Sequence, residues 1–275
     1  MTTPTAARPA VSDDEVLFGI EGHVATITLN RPDRMNTISG PMLRQLSARL
    51  IEADRDPDVR VIVLTGTGRA FCAGLDLTEA TRAGGGGISG GATAAADLDL
   101  RTAPPTVLFN LGKPTICALN GSAAGYGMDT ALGCDIRIMA SGAKMAAAFT
   151  RRGVLPESGG TWLLPRLVGW SKAAELIFTG RTLSAEECLS MGLVSQVVAG
   201  DALAGAARTL AREIAANAPL AVQAAKRMMR MGLSEGFDEH VHHVFLQLLP
   251  LLRSRDAAEG MRAFVEKRPP AFEGR

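Results

Sequence analysis

Two short apolar segments, each followed by a turn of small residues, constrain the fold of this chain more than any other feature. Residues 60–66 read RVIVLTG, and residues 114–120 read PTICALN. Continuous apolar runs of this length are typical of strands buried on both faces, as in a parallel sheet covered by helices. The sequence therefore predicts an α/β fold in which buried strands end in loops.

The turns after these strands, residues 68–76 (GRAFCAGLD) and 121–127 (GSAAGYG), are candidates for a ligand site. A backbone N–H can touch a ligand only where side chains do not block it. If each turn directs one N–H toward the same point, the pair forms an oxyanion hole, which stabilises negative charge on a carbonyl oxygen. Alternatively the glycines only permit tight turns, and the pattern alone favours that interpretation.

The remaining pattern predicts strands and helices in alternation up to about residue 200, and helices after it. A capping box, Ser184 with Glu187, precedes a helix that stops at Gly192. Alternation and helical spacing predict the other elements. They are a hairpin (16–20 and 24–29), a helix (41–53), strands (135–140 and 193–198), helices that open after 156–160 and from Ser171, and four helices near 203–216, 219–231, 236–252 and 255–266.

Composition limits the classes of protein that fit. A length of 275 residues with 47% hydrophobic and 21% charged residues predicts one core domain plus a smaller helical extension. A net charge of +1 gives no field that favours nucleic acid or an anionic membrane. The four cysteines lie far apart, which fits neither zinc nor a disulfide framework, so we expect a reducing, cytoplasmic setting. The N-terminal residues lack the features of a secretory signal, and no membrane span is expected.

Two segments are expected to lie outside the packed core. Residues 1–13 are rich in Thr, Pro, Ala and Ser, which predicts a disordered N-terminal tail. Residues 84–91 (GGGGISGG) are too rich in glycine for a core element. They fit a tolerated surface insertion and a mobile rim over a site equally well.

Five motifs, in the correct order and spacing, resemble those of the crotonase superfamily, the enoyl-CoA hydratases and isomerases. The likeness runs from about residue 15 to the end of the chain. The motifs are 24–32 (VATITLNRP), 69–77 (RAFCAGLDL), 120–127 (NGSAAGYG), 134–136 (CDI) and 264–268 (FVEKR). The resemblance implies a spiral of repeated β-β-α units over residues 14–200, and a C-terminal α-helical trimerisation region over 201–275. It also implies homotrimers, or homohexamers as pairs of trimers.

The same resemblance implies that the substrate is an acyl-CoA thioester, with no further cofactor and no metal. Its thioester oxygen would be held by the backbone N–H groups of Leu75 and Tyr126. Tyr126 stands where hydratases commonly have glycine, and its ring would narrow the acyl pocket. The family's contacts with CoA and the acyl chain map onto nine positions of this sequence. Without the resemblance, the charged residues Arg31, Arg34 and Lys267 would be interpreted as ordinary solvated side chains. The positions are Arg31, Arg34, Met35, Ala73, Asp76, Leu77, Phe149, Phe264 and Lys267.

The residues at the family's catalytic carboxylate positions decide which reaction is expected. Hydratases use two glutamates, and at their positions this chain has Asp129 and Phe149. Phe149 cannot move a proton, which argues against the usual two-carboxylate hydration. Glu157 stands where some isomerase branches place their acid/base residue, although a Glu there would also complement the start of a helix. Asp129, near a helix start, has the same alternative.

The sequence therefore favours an isomerase that shifts a 3-enoyl-CoA double bond to 2-enoyl-CoA, with Glu157 as principal base. One alternative is an enoyl-CoA hydratase that uses Asp129 and Glu157 as an altered pair. Another is a non-catalytic acyl-CoA-binding or scaffolding protein. The histidines at 240, 242 and 243 lack a carboxylate ligand pattern, so a surface or interface role is expected for them rather than a metal site.

Overall fold

The computed structural model describes residues 14–76 and 103–275, and in that part of the chain it forms two mixed sheets surrounded by helices. The predicted tail (1–13), the glycine-rich segment (84–91) and Leu77 lie outside the described residues. The strands are β1 Val16–Glu21, β2 Val24–Leu29, β3 Val61–Gly66, β4 Ala70–Cys72, β5 Thr115–Leu119, β6 Ser122–Ala124, β7 Ile136–Ala140, β8 Lys144–Ala146, β9 Thr182–Ser184 and β10 Gln196–Val198.

Helices connect and cover these strands. They are α1 Gly40–Arg55, α2 Pro104–Asn110, α3 Tyr126–Gly133, α4 Gly160–Val168, α5 Trp170–Thr179, α6 Ala185–Ser190, α7 Leu203–Ala215, α8 Pro219–Met231, α9 Phe237–Leu251 and α10 Arg255–Glu266. The α/β class and the helical C-terminal region predicted from the sequence are confirmed. The described helices include none that is both long and apolar enough to cross a membrane.

The larger sheet has the order β1-β2-β3-β5-β7-β10, and the smaller has the order β4-β6-β8-β9. All neighbours are parallel except β1 with β2 and β8 with β9. Strands β3 and β5 of the large sheet each continue, after a short turn, into β4 and β6 of the small sheet. These two units therefore each contribute one strand to each sheet, whereas both strands of the first unit, β1 and β2, lie in the large sheet.

The core lies between the large sheet and the helices. Strand β5 is buried along its whole length, as are the first four residues of β3, which agrees with strands covered on both faces. Helix α7 packs on the sheet through Leu203, Ala207, Ala211 and Ala215, one residue per turn. Helix α9 has no buried residue in this single chain.

Local sequence signals explain several boundaries. Ser184 accepts a hydrogen bond from Glu187 N, and the Glu187 side chain accepts one from Ser184 N, so the predicted capping box is present. Gly192 follows helix α6 with a positive φ of 77°. The strand expected over 193–198 is shorter, because Leu193 and Val194 pack in the core as a turn and pairing with β7 begins only at Gln196.

Candidate active site

The two small-residue turns lie side by side because the strands that lead into them are paired. Strands β4 and β6 are parallel neighbours, with Ala70 opposite Ser122 and Cys72 opposite Ala123. Parallel strands present their carboxyl ends at one edge of a sheet, so the chain leaves both strands at the same place. A Cβ on Gly74 would lie 3.1 Å from Ala124 O and 3.8 Å from Tyr126 N. Residues 73–75 therefore face residues 124–126 directly.

Glycine is required at the contact between these turns. A Cβ on Gly127 would overlap the carbonyl oxygen of Cys72, and Gly74 has a φ of 107° that residues with a side chain rarely adopt. Helix α3 can start this close to β4 only because position 127 has no side chain. The glycines do permit tight turns, and the same packing brings two backbone segments together, so the oxyanion interpretation stays a prediction.

Both predicted oxyanion donors belong to these segments. Ile38 N donates to Gly74 O (2.8 Å) and Asp76 N donates to Ile38 O (2.9 Å), so the N–H of Leu75 is directed away from Ile38. Tyr126 is the first residue of α3, and the first N–H groups of a helix have no partner within it. Among the described residues, neither N–H has a hydrogen-bond acceptor. Two free backbone donors on facing turns can stabilise negative charge on an oxygen atom.

Phe149 forms an apolar wall beside this pair. The side chain is buried, and its Cε1 and Cζ atoms lie 4.0 Å from the place a Cβ of Gly125 would take. Gly125 immediately precedes Tyr126, so the ring lies next to one of the two donors. Phe149 itself has no group that can transfer a proton.

Asp129 lies on the first turn of α3 and is only 2% exposed. Burial, followed by the nearby charge of Glu157, raises the pKa of Asp129 to about 7, while the N–H groups of Gly160 and Ser158 partly oppose this shift. A Cβ on Gly160 would overlap the Asp129 carboxylate, so the start of α4 packs directly on it. A carboxyl group with a pKa near 7 can both donate and accept a proton at neutral pH.

Glu157 lies just before α4, with its side chain at the surface. Desolvation raises its pKa, partly opposed by its own backbone N–H. Its charge contributes to the raised pKa of both Asp129 and Tyr126, so its carboxylate is within electrostatic range of both groups. The structure thus brings together two carboxylates, Asp129 and Glu157, at the starts of neighbouring helices.

Two further polar groups at this site were not predicted from the sequence. The Tyr126 side chain is 1% exposed and its hydroxyl has no hydrogen-bond partner among the described residues; the same holds for the buried hydroxyl of Ser158. Burial, then the charges of Cys72, Glu157 and Asp129, raises the pKa of Tyr126, so the phenol stays protonated. The position of Ser158 next to Glu157 was the only sequence signal for its presence.

The predicted CoA-binding loop, residues 31–35, packs against the first turn. Ala73 N donates to Met35 O (3.0 Å). The Arg31 side chain is 12% exposed and forms ion pairs with Glu15 (3.0 Å) and Asp76 (3.1 Å). The solvated interpretation is therefore wrong for Arg31, whose guanidinium ties the loop to the turn.

The other predicted CoA contacts are at the surface. Arg34 is exposed within the loop, and Phe264 (86% exposed) and Lys267 lie at the end of α10. No hydrogen bond or ion pair joins Phe264 or Lys267 to the turns within the described residues.

The histidines of α9 interact with a carboxylate. His240 Nδ1 and His243 Nδ1 lie 2.9 and 3.0 Å from the two oxygens of Glu235. In residues 14–76 and 103–275, no group of three or more His, Cys, Asp or Glu side chains is arranged to hold a metal ion.

Comparison with known proteins gives one consistent result. Residues 19–275 match the family model described as enoyl-CoA hydratase/isomerase. The chain is 39% identical to 1,2-epoxyphenylacetyl-CoA isomerase of Escherichia coli (strain K12), over 94% of this chain and 98% of that protein. It is 37% identical to (E)-benzylidenesuccinyl-CoA hydratase of Thauera aromatica, over 94% and 99%. A crystal structure of enoyl-CoA hydratase from Bacillus anthracis superposes with a TM-score of 0.88 at 35% identity, over 95% of this chain and 100% of that one.

Proposed function

This chain belongs to the enoyl-CoA hydratase/isomerase family, and from that membership we propose that it shifts the double bond of a 3-enoyl-CoA thioester to the 2 position. The substrate is an acyl-CoA thioester, and the reaction needs no metal or additional cofactor. Glu157 acts as the base. The names of its relatives include both hydratases and isomerases, so the choice between them depends on the site itself.

In the proposed reaction, the N–H groups of Leu75 and Tyr126 hold the thioester oxygen. Glu157 removes a proton from the α carbon, and the electron pair of that C–H bond moves into a dienolate whose oxygen the two donors stabilise. The protonated Glu157 then returns the proton to the γ carbon. The new γ C–H bond balances the lost α C–H bond, and the double bond moves from β,γ to α,β.

The observation that carries the proposal is the buried ring of Phe149 against Gly125. By the family resemblance, this ring places an apolar side chain at the position of one hydratase carboxylate, which favours a one-base proton shuttle by Glu157. Desolvation raises the pKa of Glu157, a direction that makes its carboxylate a stronger base.

One observation favours a second candidate, an enoyl-CoA hydratase. Asp129, with a pKa of about 7, lies in electrostatic contact with Glu157. Two carboxyl groups with different pKa values can divide the roles of acid and base, one orienting water and the other protonating the α carbon.

Separate assays with 3-enoyl-CoA and 2-enoyl-CoA thioesters, with products identified by chromatography, distinguish these functions. We expect isomerisation of the 3-enoyl substrate, and a loss of about 100-fold to 10,000-fold in turnover for Glu157→Gln, which keeps the size of the side chain but removes the base. Glu186→Gln, an exposed Glu on α6, is the matched control and should keep wild-type turnover.

Three outcomes would contradict the proposal. Hydration of 2-enoyl-CoA without isomerisation would favour the hydratase. Binding of both thioesters without any turnover would favour a non-catalytic acyl-CoA-binding or scaffolding protein. Near-normal isomerisation by Glu157→Gln, together with loss of activity in Asp129→Asn, would assign the base to Asp129.

We also propose that the chain acts as a homotrimer, or as a homohexamer of two trimers, with residues 201–275 as the oligomerisation region. Helix α9 exposes Phe237, Val241 and Phe245, and α10 exposes Phe264. Closed symmetric assembly would cover these side chains. It would also bring Phe264 and Lys267 toward the CoA bound to the same subunit or to a neighbouring subunit. A stable monomer by light scattering at micromolar concentration would contradict this proposal.

The proposed compartment is the cytoplasm. All four cysteines are free thiols and all are buried, as suits a reducing setting. Fractionation of cells that express the protein at its natural level would test this assignment.

A further inference from the structure

Asn36 joins the loop between β2 and α1 to the turn between β3 and β4. Its side chain is fully buried, at 0% exposed. The amide oxygen Oδ1 accepts a hydrogen bond from Arg31 N (2.7 Å). The amide nitrogen Nδ2 donates to Thr67 O (2.9 Å) and to Ala70 O (2.8 Å). Because the amide oxygen and both N–H groups of the amide have backbone partners, this side chain fixes the two segments relative to each other.

The backbone around Asn36 has an uncommon conformation. Met35 and Asn36 both have positive φ values, 56° and 53°, which residues with a side chain rarely adopt. Asparagine tolerates this conformation better than most residues, and such strain persists only where the surrounding structure holds it. The three hydrogen bonds of the Asn36 side chain provide that restraint. Strained backbone of this kind is concentrated at functional sites.

The strained loop binds the segment that carries one of the two predicted oxyanion donors, Leu75. Three backbone hydrogen bonds connect residues 35–38 to residues 73–76. They are Ala73 N to Met35 O (3.0 Å), Ile38 N to Gly74 O (2.8 Å) and Asp76 N to Ile38 O (2.9 Å). These bonds hold the chain on both sides of Leu75. Because Asn36 fixes the conformation of the loop, it also fixes the direction of the Leu75 N–H.

A second asparagine binds the same turn from the other side of the site. Asn120, just before the second small-residue turn, donates from Nδ2 to Gly68 O (3.0 Å) and to Ala70 O (3.1 Å). Its Oδ1 accepts from the N–H of the last residue of β3 (3.0 Å). Ala70 O therefore accepts a hydrogen bond from both Asn36 and Asn120. Through this carbonyl group, the loop of Asn36 and the segment that leads to Tyr126 are fixed relative to each other.

We propose that Asn36 and Asn120 are positioning residues, which hold the two turns so that the N–H groups of Leu75 and Tyr126 converge on one oxygen atom. The inference rests on the proposed function only in taking these two N–H groups as the donors to the thioester oxygen. It applies to an isomerase and to a hydratase alike. Both asparagines act through the backbone that they hold, since their own amides already bind backbone groups.

The frequency of a bound thioester carbonyl tests the proposal without turnover. Butanoyl-CoA, isotopically labelled at the thioester carbonyl, has no double bond to move, and hydrogen bonds from an oxyanion hole lower its C=O stretching frequency. Infrared difference spectra at saturating ligand would compare the complex with free butanoyl-CoA. We expect a lowered frequency in the wild type and the loss of most of this shift in Asn36→Gly. The variant keeps access to a positive φ but removes the amide.

Turnover should fall together with the carbonyl shift. A catalytic group displaced by about 1 Å can cost about 100-fold in rate. We therefore expect Asn36→Gly to lower kcat about 100-fold on whichever enoyl-CoA thioester the wild type converts. Measurement at saturating substrate separates this effect from any loss of CoA affinity in the loop. Asn120→Ala, which removes the second amide, should reduce both the shift and kcat, and it covers the case that Asn36→Gly does not fold.

Two controls separate the position of the donors from general stability. Thr115→Val removes hydrogen bonds to Asp135 and is expected to lower stability, but Thr115 makes no hydrogen bond to either asparagine in the described part of the chain. Asn217→Ala removes an amide at an exposed position after α7. Both controls should keep the wild-type carbonyl shift and kcat.

Two outcomes would overturn the positioning roles. A carbonyl shift that survives in both Asn36→Gly and Asn120→Ala would mean that the asparagines contribute to stability alone. A wild type without any shift would mean that there is no oxyanion hole for them to position. A shift that is present in the wild type and lost in the variants supports the inference even if 3-enoyl-CoA is not isomerised. That last result would contradict only the proposed function, so the two failures are seen in different measurements.

Discussion

Two aspartates at opposite ends of helix α3 show how differently one fold uses the same side chain. Asp129 lies on the first turn of the helix, and Asp135 comes two residues after its end. Asp135 binds Lys226 Nζ (2.7 Å), Arg230 (2.9 Å) and both the N–H and the hydroxyl of Thr115 (2.7 and 2.8 Å). Asp129 has an oxygen with no partner at all among the described residues.

The partners explain what each carboxylate contributes. Asp135 joins Thr115 of strand β5 to Lys226 of helix α8. Without this carboxylate, the ammonium group of Lys226 would be buried without that anionic partner. Burial lowers the pKa of Lys226, and the charge of Asp135 opposes that shift. This site is satisfied within the chain, so it can stabilise the fold but has nothing left to offer a ligand.

At Asp129 the balance is reversed. Burial and the charge of Glu157 raise its pKa to about 7, so the ionised form is unfavourable in the native state. A group that decreases stability at neutral pH is typical of sites where strain or unsatisfied charge serves a function. Asp135 is therefore satisfied by partners within the chain and can stabilise the fold, whereas Asp129 keeps a carboxylate oxygen that the described residues leave without a partner.

The largest expected effect is on stability, from Asp135→Ala. The substitution leaves the ammonium of Lys226, 8% exposed, without its carboxylate partner. Breaking a buried ion pair in this way costs about 3–5 kcal/mol, and we expect that decrease in the free energy of unfolding by urea titration. Asp58→Ala, at an exposed Asp, is the control and should change stability by less than about 0.5 kcal/mol.

A small effect of Asp135→Ala would break the comparison. If the free energy of unfolding fell by no more than in the Asp58 control, the ion pairs of Asp135 with Lys226 and Arg230 would contribute nothing measurable. Helix α8 would then be held by apolar packing alone. Asp129 and Asp135 would then not differ in the way that their partners indicate.

The next effect concerns the pH dependence of stability, and its sign follows from Asp129. Its native pKa of about 7 lies above the unfolded value near 4, so between these values the native state holds a proton that the unfolded state has lost. The stability from this group is fully present below pH 4 and is lost as pH rises through 7. From pH 5 to 8 the wild type should lose about 2–3 kcal/mol more than Asp129→Asn, in urea titrations at each pH.

The matched control is Asp58→Asn at an exposed position, which keeps Asp129 and its surroundings and should keep the wild-type pH slope. Parallel curves for the wild type and Asp129→Asn would show that Asp129 does not titrate near neutral pH. Its role as the acid of a hydratase would then lose its physical basis.

The sequence singles out one of these aspartates and not the other. Asp129 and Glu157 are candidates because they stand at positions where the crotonase family places catalytic carboxylates, and their catalytic roles stay predictions. The sequence gives Asp135 no role beyond its place in the CDI motif at the start of a strand. Its cationic partners, Lys226 and Arg230, lie 91 and 95 residues away, and the helical pattern around them does not show which strand they face. Tertiary ion pairs of this separation leave no local pattern.

The same distinction applies to the fold and the rest of the site. The hairpin, the capping box and the four C-terminal helices were predicted because hydrophobic periodicity and turn residues specify them locally. The sequence pattern does not separate strands β4 and β6 from the turns around them, because a strand of three residues is too short to show alternation. The ion pairs of Arg31 and the free hydroxyls of Tyr126 and Ser158 depend on which segments meet in space, and only the structure supplies that.

The smallest expected effect separates two contributions of Asp135 to stability, its hydrogen bonds with Thr115 and its ion pairs with Lys226 and Arg230. The Thr115 hydroxyl donates to Asp135 Oδ2 (2.8 Å) and accepts from Asp135 N (2.9 Å). Thr115→Val keeps the shape and strand propensity of the side chain but removes both hydrogen bonds, while the ion pairs remain. We expect a decrease of about 1–2 kcal/mol in the free energy of unfolding, against almost none for Thr182→Val at an exposed position of β9. A decrease as large as that of Asp135→Ala would mean that the Asp135 carboxylate depends on Thr115 for its position. Its ion pairs with α8 would then form only when the Thr115 hydroxyl holds the carboxylate in place.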